Sequence, residues 1–348
     1  MVAIILAVIS ALALTLSVLF TPVADFLNGT VSVFFRILMS AFTSFLPFSV
    51  FEILLCILLP LLIFVIVFAV KKIKTKNQAV RFLFGIVCLP AFIFSGFVFA
   101  LGIPYHTTTL DGKMGIAEVS PTAENLTATA IILRDEINRL QDELSLDGTT
   151  PSQTELSFAE ISQSLTDAYG VFEDEYGFPF NFFTRAKPMI FDEVMSHAHL
   201  LGIYTFFTGE SNINDGYPDY TWVNTVAHEF AHQRGIIRED EANFMAFAVS
   251  IRSTDPYIRY CGYLNMYEYV MNALYKVDKE SFSDVHSSLS TAALADIRAY
   301  SEKSKQYTDS TLGAVVSQVN DAYLQMNGTP GTVSYSLCVR LAVAYYHN

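Results

Sequence analysis

Three long stretches without a charged residue stand out in the first 103 positions of the chain. They cover residues 2–20, 53–70 and 82–103, and each is long enough to cross the ~30 Å hydrocarbon core of a bilayer as a helix. Because a charge at the bilayer centre costs several kcal/mol, these stretches predict three membrane-spanning helices. The first lacks a basic segment before it, which favours a membrane anchor over a cleaved signal peptide.

Two further features of this half predict its arrangement in the membrane. Residues 24–48 are apolar but interrupted by Asp25, Asn28, Arg36 and Pro47, which is typical of a helix lying in the membrane interface. The loop 71–81 holds five of the six basic residues among residues 1–103, and such loops stay in the cytoplasm. We therefore expect a multi-pass protein of the cell membrane, with the N-terminus in the cytoplasm and residues 104–348 outside it.

Residues 104–348 follow a mostly helical pattern. Apolar positions with helical spacing run from about residue 120 to 147 and from Leu156 to Tyr169, and again from Tyr220 onward with short breaks. Residues 202–207 are aromatic and β-branched, which predicts a strand or hairpin. We expect a mainly α fold of two domains: residues 1–103 in the membrane and a mostly helical extracytoplasmic domain with a small β-sheet.

The distribution of charge excludes one class of partner. Residues 104–348 contain 15 basic and 32 acidic side chains, and the whole chain carries a net charge of −13. An acidic surface repels phosphate, so we expect no nucleic-acid partner. The four cysteines lie far apart along the chain, which excludes both a disulfide framework and a paired-cysteine zinc site.

The strongest chemical signal is the segment 226–235, VAHEFAHQRG. His228 and His232 are four residues apart, so on a helix both imidazoles project from one face and can bind the same metal ion. Glu229 is rotated ~100° from His228, beside that ion, where a general base for a water molecule must stand. Gly235 is placed to end the helix in a left-handed conformation.

A second apolar helix that begins at Glu239 can supply the third ligand that catalytic zinc requires. Glu239 and Asn243 are four residues apart and share a face, so we expect Glu239 to bind the metal and Asn243 to orient a histidine ring. Asp240 and Glu241 point elsewhere and suit a helix N-terminus, but Glu241 remains the alternative third ligand.

Stabilisation of a developing oxyanion needs another donor. We expect Tyr260 or Tyr263 to provide it, and Arg238, His197 and His199 are weaker candidates. The strand at residues 202–207 can offer its edge to an extended substrate, although a purely structural hairpin explains it equally well.

The H-E-x-x-H motif and the following E-x-x-A-N sequence resemble those of gluzincin zinc metallopeptidases, which include the membrane-embedded CAAX-type proteases and proteases that act on repressors. Four segments more closely resemble a bacterial family of uncharacterised multi-span membrane proteins with a predicted metallopeptidase domain: residues 207–214, 228–244, 260–264 and 320–324. This resemblance implies a zincin-like domain holding Zn²⁺ on His228, His232 and Glu239. Asn243 stands where well-known gluzincins have aspartate, and only six residues separate His232 from Glu239.

The function that these features predict is a membrane-anchored zinc metalloendopeptidase. Its partners would be the lipid bilayer and a peptide or protein substrate, with Glu229 as the general base. Two alternatives stay open. One is a metal-binding sensor or scaffold without turnover, and the other is a zinc hydrolase that acts on a non-protein amide.

Overall fold

The computed structural model describes residues 2–178 and 182–347. Its N-terminal part is helical almost throughout, because long runs of Leu, Ile, Val and Phe hold few helix breakers. The helices are α1 (Val2–Leu19), α2 (Thr21–Leu27), α3 (Val33–Thr43), α4 (Val50–Lys72) and α5 (Lys76–Phe97). A π-helical turn, Asn28–Ser32, joins α2 to α3, and Val98–His106 extends α5 through a π and a 3-10 segment.

Four helical stretches in this part are long and apolar enough to cross a membrane: Val2–Leu19, Thr21–Thr43, Val50–Lys72 and Lys76–His106. The sequence pattern predicted three membrane-spanning helices and a helix in the membrane interface at residues 24–48, within the second of these four stretches. The second has a mean hydropathy of 1.3, against 2.4 to 3.4 for the other three. Membrane association follows from these helices.

The stretch Thr21–Thr43 contacts the C-terminal part of the chain at intervals along its length. Asp25 accepts hydrogen bonds from the backbone and side chain of Thr108, at 2.9 and 2.7 Å. Arg36 is fully buried and lies against the Arg234 carbonyl. Ser40 and Thr43 donate to the carbonyls of residues 209 and 208. The Arg36 charge that argued against a span is thus covered by protein.

The C-terminal part is mainly helical, as the sequence predicts. Its helices are α6 (Leu110–Met114), α7 (Ala123–Leu144), α8 (Phe158–Tyr176), α9 (Asp192–His197), α10 (Asp219–Gln233), α11 (Glu239–Ser250), α12 (Pro256–Val277), α13 (Lys279–Ser287), α14 (Thr291–Lys305), α15 (Thr311–Met326) and α16 (Cys338–His347). α6 lies between the apolar helices and α7, and α8 runs seven residues beyond the predicted end at Tyr169.

The small sheet has three strands: β1 (Ala186–Pro188), β2 (Gly202–Thr205) and β3 (Glu210–Ile213), in the order β1-β3-β2. β2 pairs antiparallel with β3, and β1 pairs parallel with it. The predicted strand 202–207 ends at Thr205, because the following residues form the turn that leads into β3. β2 therefore has one edge that no other strand covers in the described sheet.

The hydrophobic core lies among the helices that carry the candidate site residues. α12 packs along α7, while α10 and α11 pack against each other and against α12. Val226 and Phe230 of α10, Phe244 and Phe247 of α11, and Leu264 of α12 are fully buried. A helix enclosed in this way positions its polar side chains rigidly, because interiors are close-packed.

Candidate metal centre

The C-terminal end of α10 is held in place by buried polar contacts. Arg234 lies 3.3 Å from the Glu173 carboxylate and stacks 4.1 Å from the centre of the Tyr169 ring. Gln233 donates a 2.7 Å hydrogen bond to the carbonyl of residue 209. Gly235 follows with φ +83°, the left-handed conformation expected for a helix-ending glycine. The chain turns back there and enters α11 at Glu239.

This turn brings His228, His232 and Glu239 together. One ligand atom from each lies within 4.8 Å of the other two. The Glu239 Oε2 atom is 3.2 Å from His228 Nε2 and 3.7 Å from His232 Nε2. The two imidazole rings are 4.6 Å apart and nearly perpendicular. Two imidazoles and a carboxylate with this spacing match the donor set of a catalytic zinc site.

The hydrogen bond of His232 to the backbone suits a metal-binding imidazole. His232 Nδ1 donates to the Ile236 carbonyl at 2.9 Å, which places the proton on Nδ1 and leaves the Nε2 lone pair facing Glu239. Burial lowers the pKa of His232 to about 4, so this imidazole is neutral at pH 7, the form that a metal ligand requires.

His228 has a different electrostatic environment. Burial lowers the pKa of His228, whereas its hydrogen bond with Glu239, the charges of Glu239 and Glu229, and a hydrogen bond with Asn243 raise it. The net shift of this pKa is upward. Asn243 thus lies beside His228, and its role in orienting the ring stays a prediction. A cation at this centre would replace the proton as the partner of Glu239.

Glu229 lies behind the cluster against strand β2. Its carboxylate accepts a hydrogen bond from the backbone N–H of Tyr204, and burial raises its pKa to about 7. A Cβ atom on Gly202 would come within 2.7 Å of Glu229 Oε1. Glycine at this position therefore lets the strand approach the carboxylate closely. A carboxylate with this pKa can accept or release a proton at neutral pH.

A cavity of about 800 Å³ opens over the cluster. The uncovered edge of β2 forms one wall, and α10, α11, α12, α14 and α15 form the others. Leu101 and Tyr105, which follow the last apolar helix, also line it. The centre thus faces a large cavity at the junction between the apolar helices and the C-terminal part, with a strand edge alongside.

Several predicted site residues lie elsewhere. Tyr260 is fully buried and donates a 2.8 Å hydrogen bond to Asp296, and Tyr263 packs on Phe247. Neither lines the cavity, so the assignment of these tyrosines to the oxyanion is corrected. Tyr269 of the same helix does line the cavity. Burial raises the pKa of Tyr269, and the negative charge of Glu239 adds a smaller contribution. The sequence analysis did not single out Tyr269.

The weaker candidates for the oxyanion donor, which are Arg238, His197 and His199, also have structural partners. Arg238 bonds to Glu241 at 3.0 Å and to the Tyr105 carbonyl at 2.8 Å. His197 makes an edge-to-face contact with Tyr307, whose carbonyl lies 2.8 Å from His199 Nε2. Of these three, only His199 lines the cavity.

Glu241, the alternative third ligand, points away from the histidines. Besides its bond to Arg238, it accepts a 3.0 Å hydrogen bond from the Leu110 backbone N–H. Its carboxylate therefore fastens α6 to the start of α11, and Glu239 is the carboxylate that faces the two imidazoles.

The fold and the site together define a mainly helical protein with apolar N-terminal helices and a partly buried two-histidine, one-glutamate cluster. The model of one family, described as "Protein of unknown function (DUF3810)", matches residues 28–343. The chain belongs to this family. No curated protein and no solved structure matches it.

Proposed function

We propose that the protein is a membrane-anchored, zinc-dependent metallopeptidase. The observation that carries this proposal is the meeting of His228, His232 and Glu239 beside the Glu229 carboxylate, at the wall of a large cavity. His228, His232 and Glu239 would hold the ion. Bound zinc would supply Lewis acidity, which polarises a carbonyl group and acidifies water.

Glu229 would act as the general base and later as the general acid. Its pKa of about 7 suits the removal of a proton from water and the return of that proton to the leaving amine. The backbone N–H of Tyr204 holds the carboxylate in position. Tyr269, which lines the cavity near Glu239, is our revised candidate for the hydroxyl that donates to the oxyanion.

The edge of β2 favours a peptide over the other amide substrates considered above. Gly202, Ile203 and Tyr204 line the cavity, and β2 pairs with β3 along its opposite edge. An extended peptide can pair with such an edge through main-chain hydrogen bonds. A closed structural zinc site normally has four protein ligands. The cluster in the described residues has three, which favours a catalytic role over a scaffold.

The test is Glu229→Gln in the purified full-length chain, assayed by mass spectrometry on a mixture of synthetic peptides. We expect this variant to retain bound zinc and to lose hydrolysis by at least ~100-fold, because proton transfer by a positioned base contributes that much. Glu302→Gln, the same change at an exposed position of α14, serves as the matched control and should cleave normally. Hydrolysis by Glu229→Gln at the wild-type rate would refute the mechanism.

A further inference from the structure

The cavity has a second polar region beside the metal ligands. Asn224 precedes His228 by one turn of α10, about 6 Å along the helix axis. On the facing wall, α12 contributes Asn265, Glu268 and Asn272, all of which line the cavity. Their spacing of three and seven residues places them on one face of α12. We call Asn224, Asn265 and Glu268 the acceptor cluster.

The acceptor cluster offers hydrogen-bond acceptors that lack donors. Asn224 is only 8% exposed, and its Oδ1 atom has no hydrogen-bond partner in the described part of the chain. The buried Asn265 Oδ1 atom lacks one there as well. Leaving a buried acceptor without a donor is unfavourable, so this region favours a ligand that brings several N–H groups.

The charge of this region is negative. Glu268 Oε2 accepts a 3.2 Å hydrogen bond from the Tyr220 hydroxyl, and the nearby Asp296 adds to the negative potential. Burial raises the pKa of Glu268 to about 7, which shows that an ionised carboxylate here is short of compensating charge. Among the described residues that line the cavity, none is a lysine or an arginine.

We propose that the acceptor cluster is a substrate subsite that binds a cationic side chain, arginine or lysine, next to the scissile bond. This inference rests on the proposed peptidase function and specifies its substrate class. A guanidinium group has five N–H donors and an ammonium group has three, so either satisfies the free amide oxygens and the Glu268 carboxylate together. The separation of about 6 Å between Asn224 and His228 suits a long side chain beside the scissile carbonyl.

The first experiment measures cleavage of peptides that differ at one position only. That position carries arginine, lysine, leucine or the uncharged arginine analogue citrulline, and the wild type is compared with Glu268→Gln. We expect the wild type to prefer arginine to citrulline by about 10- to 100-fold in kcat/KM, the size of a charged hydrogen bond. Glu268→Gln should remove most of this preference by lowering kcat/KM for the arginine and lysine peptides. Glu302→Gln is the matched control.

The second experiment measures binding without turnover. Arginine amide and citrulline amide are titrated calorimetrically into the wild type, Glu268→Gln and Asn224→Leu. We expect arginine amide to bind more tightly to the wild type than citrulline amide, and both variants to weaken that binding by about 10-fold or more. Circular dichroism confirms that each variant is folded, and Asn224→Leu tests the opposite wall without altering a charge.

The outcomes separate the subsite from the peptidase function. Equal cleavage of arginine and citrulline peptides by the wild type would overturn the subsite and leave the peptidase standing. If no peptide is cleaved but arginine amide binds in a Glu268-dependent way, the subsite is supported and the peptidase function fails. Absence of both cleavage and binding would overturn both.

Discussion

At the scale of single residues, the close approach of Gly202 to Glu229 is the feature most sensitive to change. A Cβ atom at Gly202 would lie 2.7 Å from Glu229 Oε1 and 2.6 Å from Thr225 Cγ2. Both distances are shorter than real Cβ contacts, so an added methyl group must displace the carboxylate or the strand. The backbone N–H of Tyr204, which bonds to Glu229, belongs to the same strand.

We therefore predict that Gly202→Ala lowers kcat/KM by about 100-fold, because a displacement of about 1 Å in an active site has an effect of this size. Zinc content should be unchanged, since the alanine touches none of the three ligands. Peptide cleavage and metal analysis of the same preparation provide the check. Normal cleavage by Gly202→Ala would show that Glu229 does not need its present position.

The sequence indicated most of the chemistry at this scale, but not all of it. The spacing of His228, Glu229 and His232 on a helix determines their relative directions, so these positions followed from the helical period alone. The approach of Glu239 depended on a turn at Gly235 that the sequence also predicted. Tyr260 and Tyr263 were wrong because nothing local distinguishes a tyrosine that faces the core from one that faces a cavity. Tyr269 is rotated about 180° from Tyr260 around α12.

At the scale of elements, α12 carried a signal that could have identified its cavity-facing side. Asn265, Glu268 and Asn272 are polar residues at helical spacing in the middle of α12, where the other side chains are apolar or aromatic. Such a polar stripe marks either solvent or a cavity. Whether the stripe faces solvent or a cavity depends on which other elements pack opposite α12. In this protein α10, α14 and α15 lie across the cavity from it, and no local pattern could place them.

Strand β3 joins the apolar helices to β2, the strand beside the metal centre. Glu210 accepts hydrogen bonds from the backbone N–H groups of Val50 and Phe51, at 2.9 and 3.0 Å, and so caps the N-terminus of α4. Ser49 donates to Asn212 at 2.7 Å. Only the family resemblance singled out the segment 207–214. Its contacts join residues about 160 positions apart, and the local spacing of apolar residues gives no information about such contacts.

The stretch Thr21–Thr43 is the element whose place in the membrane is least determined by composition. Its length and hydropathy allow a span, yet it contacts the C-terminal part near its start, middle and end through Asp25, Arg36 and Thr43. If the C-terminal part lies outside the cytoplasm, contacts along the whole stretch favour a position in the outer interface over a span.

At the scale of the whole molecule, the orientation depends on the basic loop between α4 and α5. If that loop is cytoplasmic, the following helix carries the C-terminal part to the outside, whether three or four helices span the membrane. The number of spans changes only the side on which the N-terminus lies.

Cysteine labelling with a membrane-impermeant maleimide tests this arrangement in intact cells. We expect Asp309→Cys, Thr21→Cys and Phe45→Cys to react from outside, and Asn77→Cys to react only after permeabilisation. All four positions are exposed in the structure. Native Cys56 and Cys88 lie in apolar helices, and Cys261 and Cys338 are buried, so the unmodified chain is the control. Labelling of Thr21 and Phe45 from opposite sides would show that their helix spans the membrane.

The most direct test of the account is the metal content of the purified full-length protein. We predict that the wild type binds about one zinc ion per chain. His228→Ala and Glu239→Ala should lose this zinc, and Glu241→Ala should retain it. X-ray absorption should show nitrogen and oxygen ligands at about 2.0–2.2 Å and no sulfur. A wild-type protein that binds no zinc, or a Glu241→Ala variant that loses zinc while Glu239→Ala keeps it, would contradict the proposed centre.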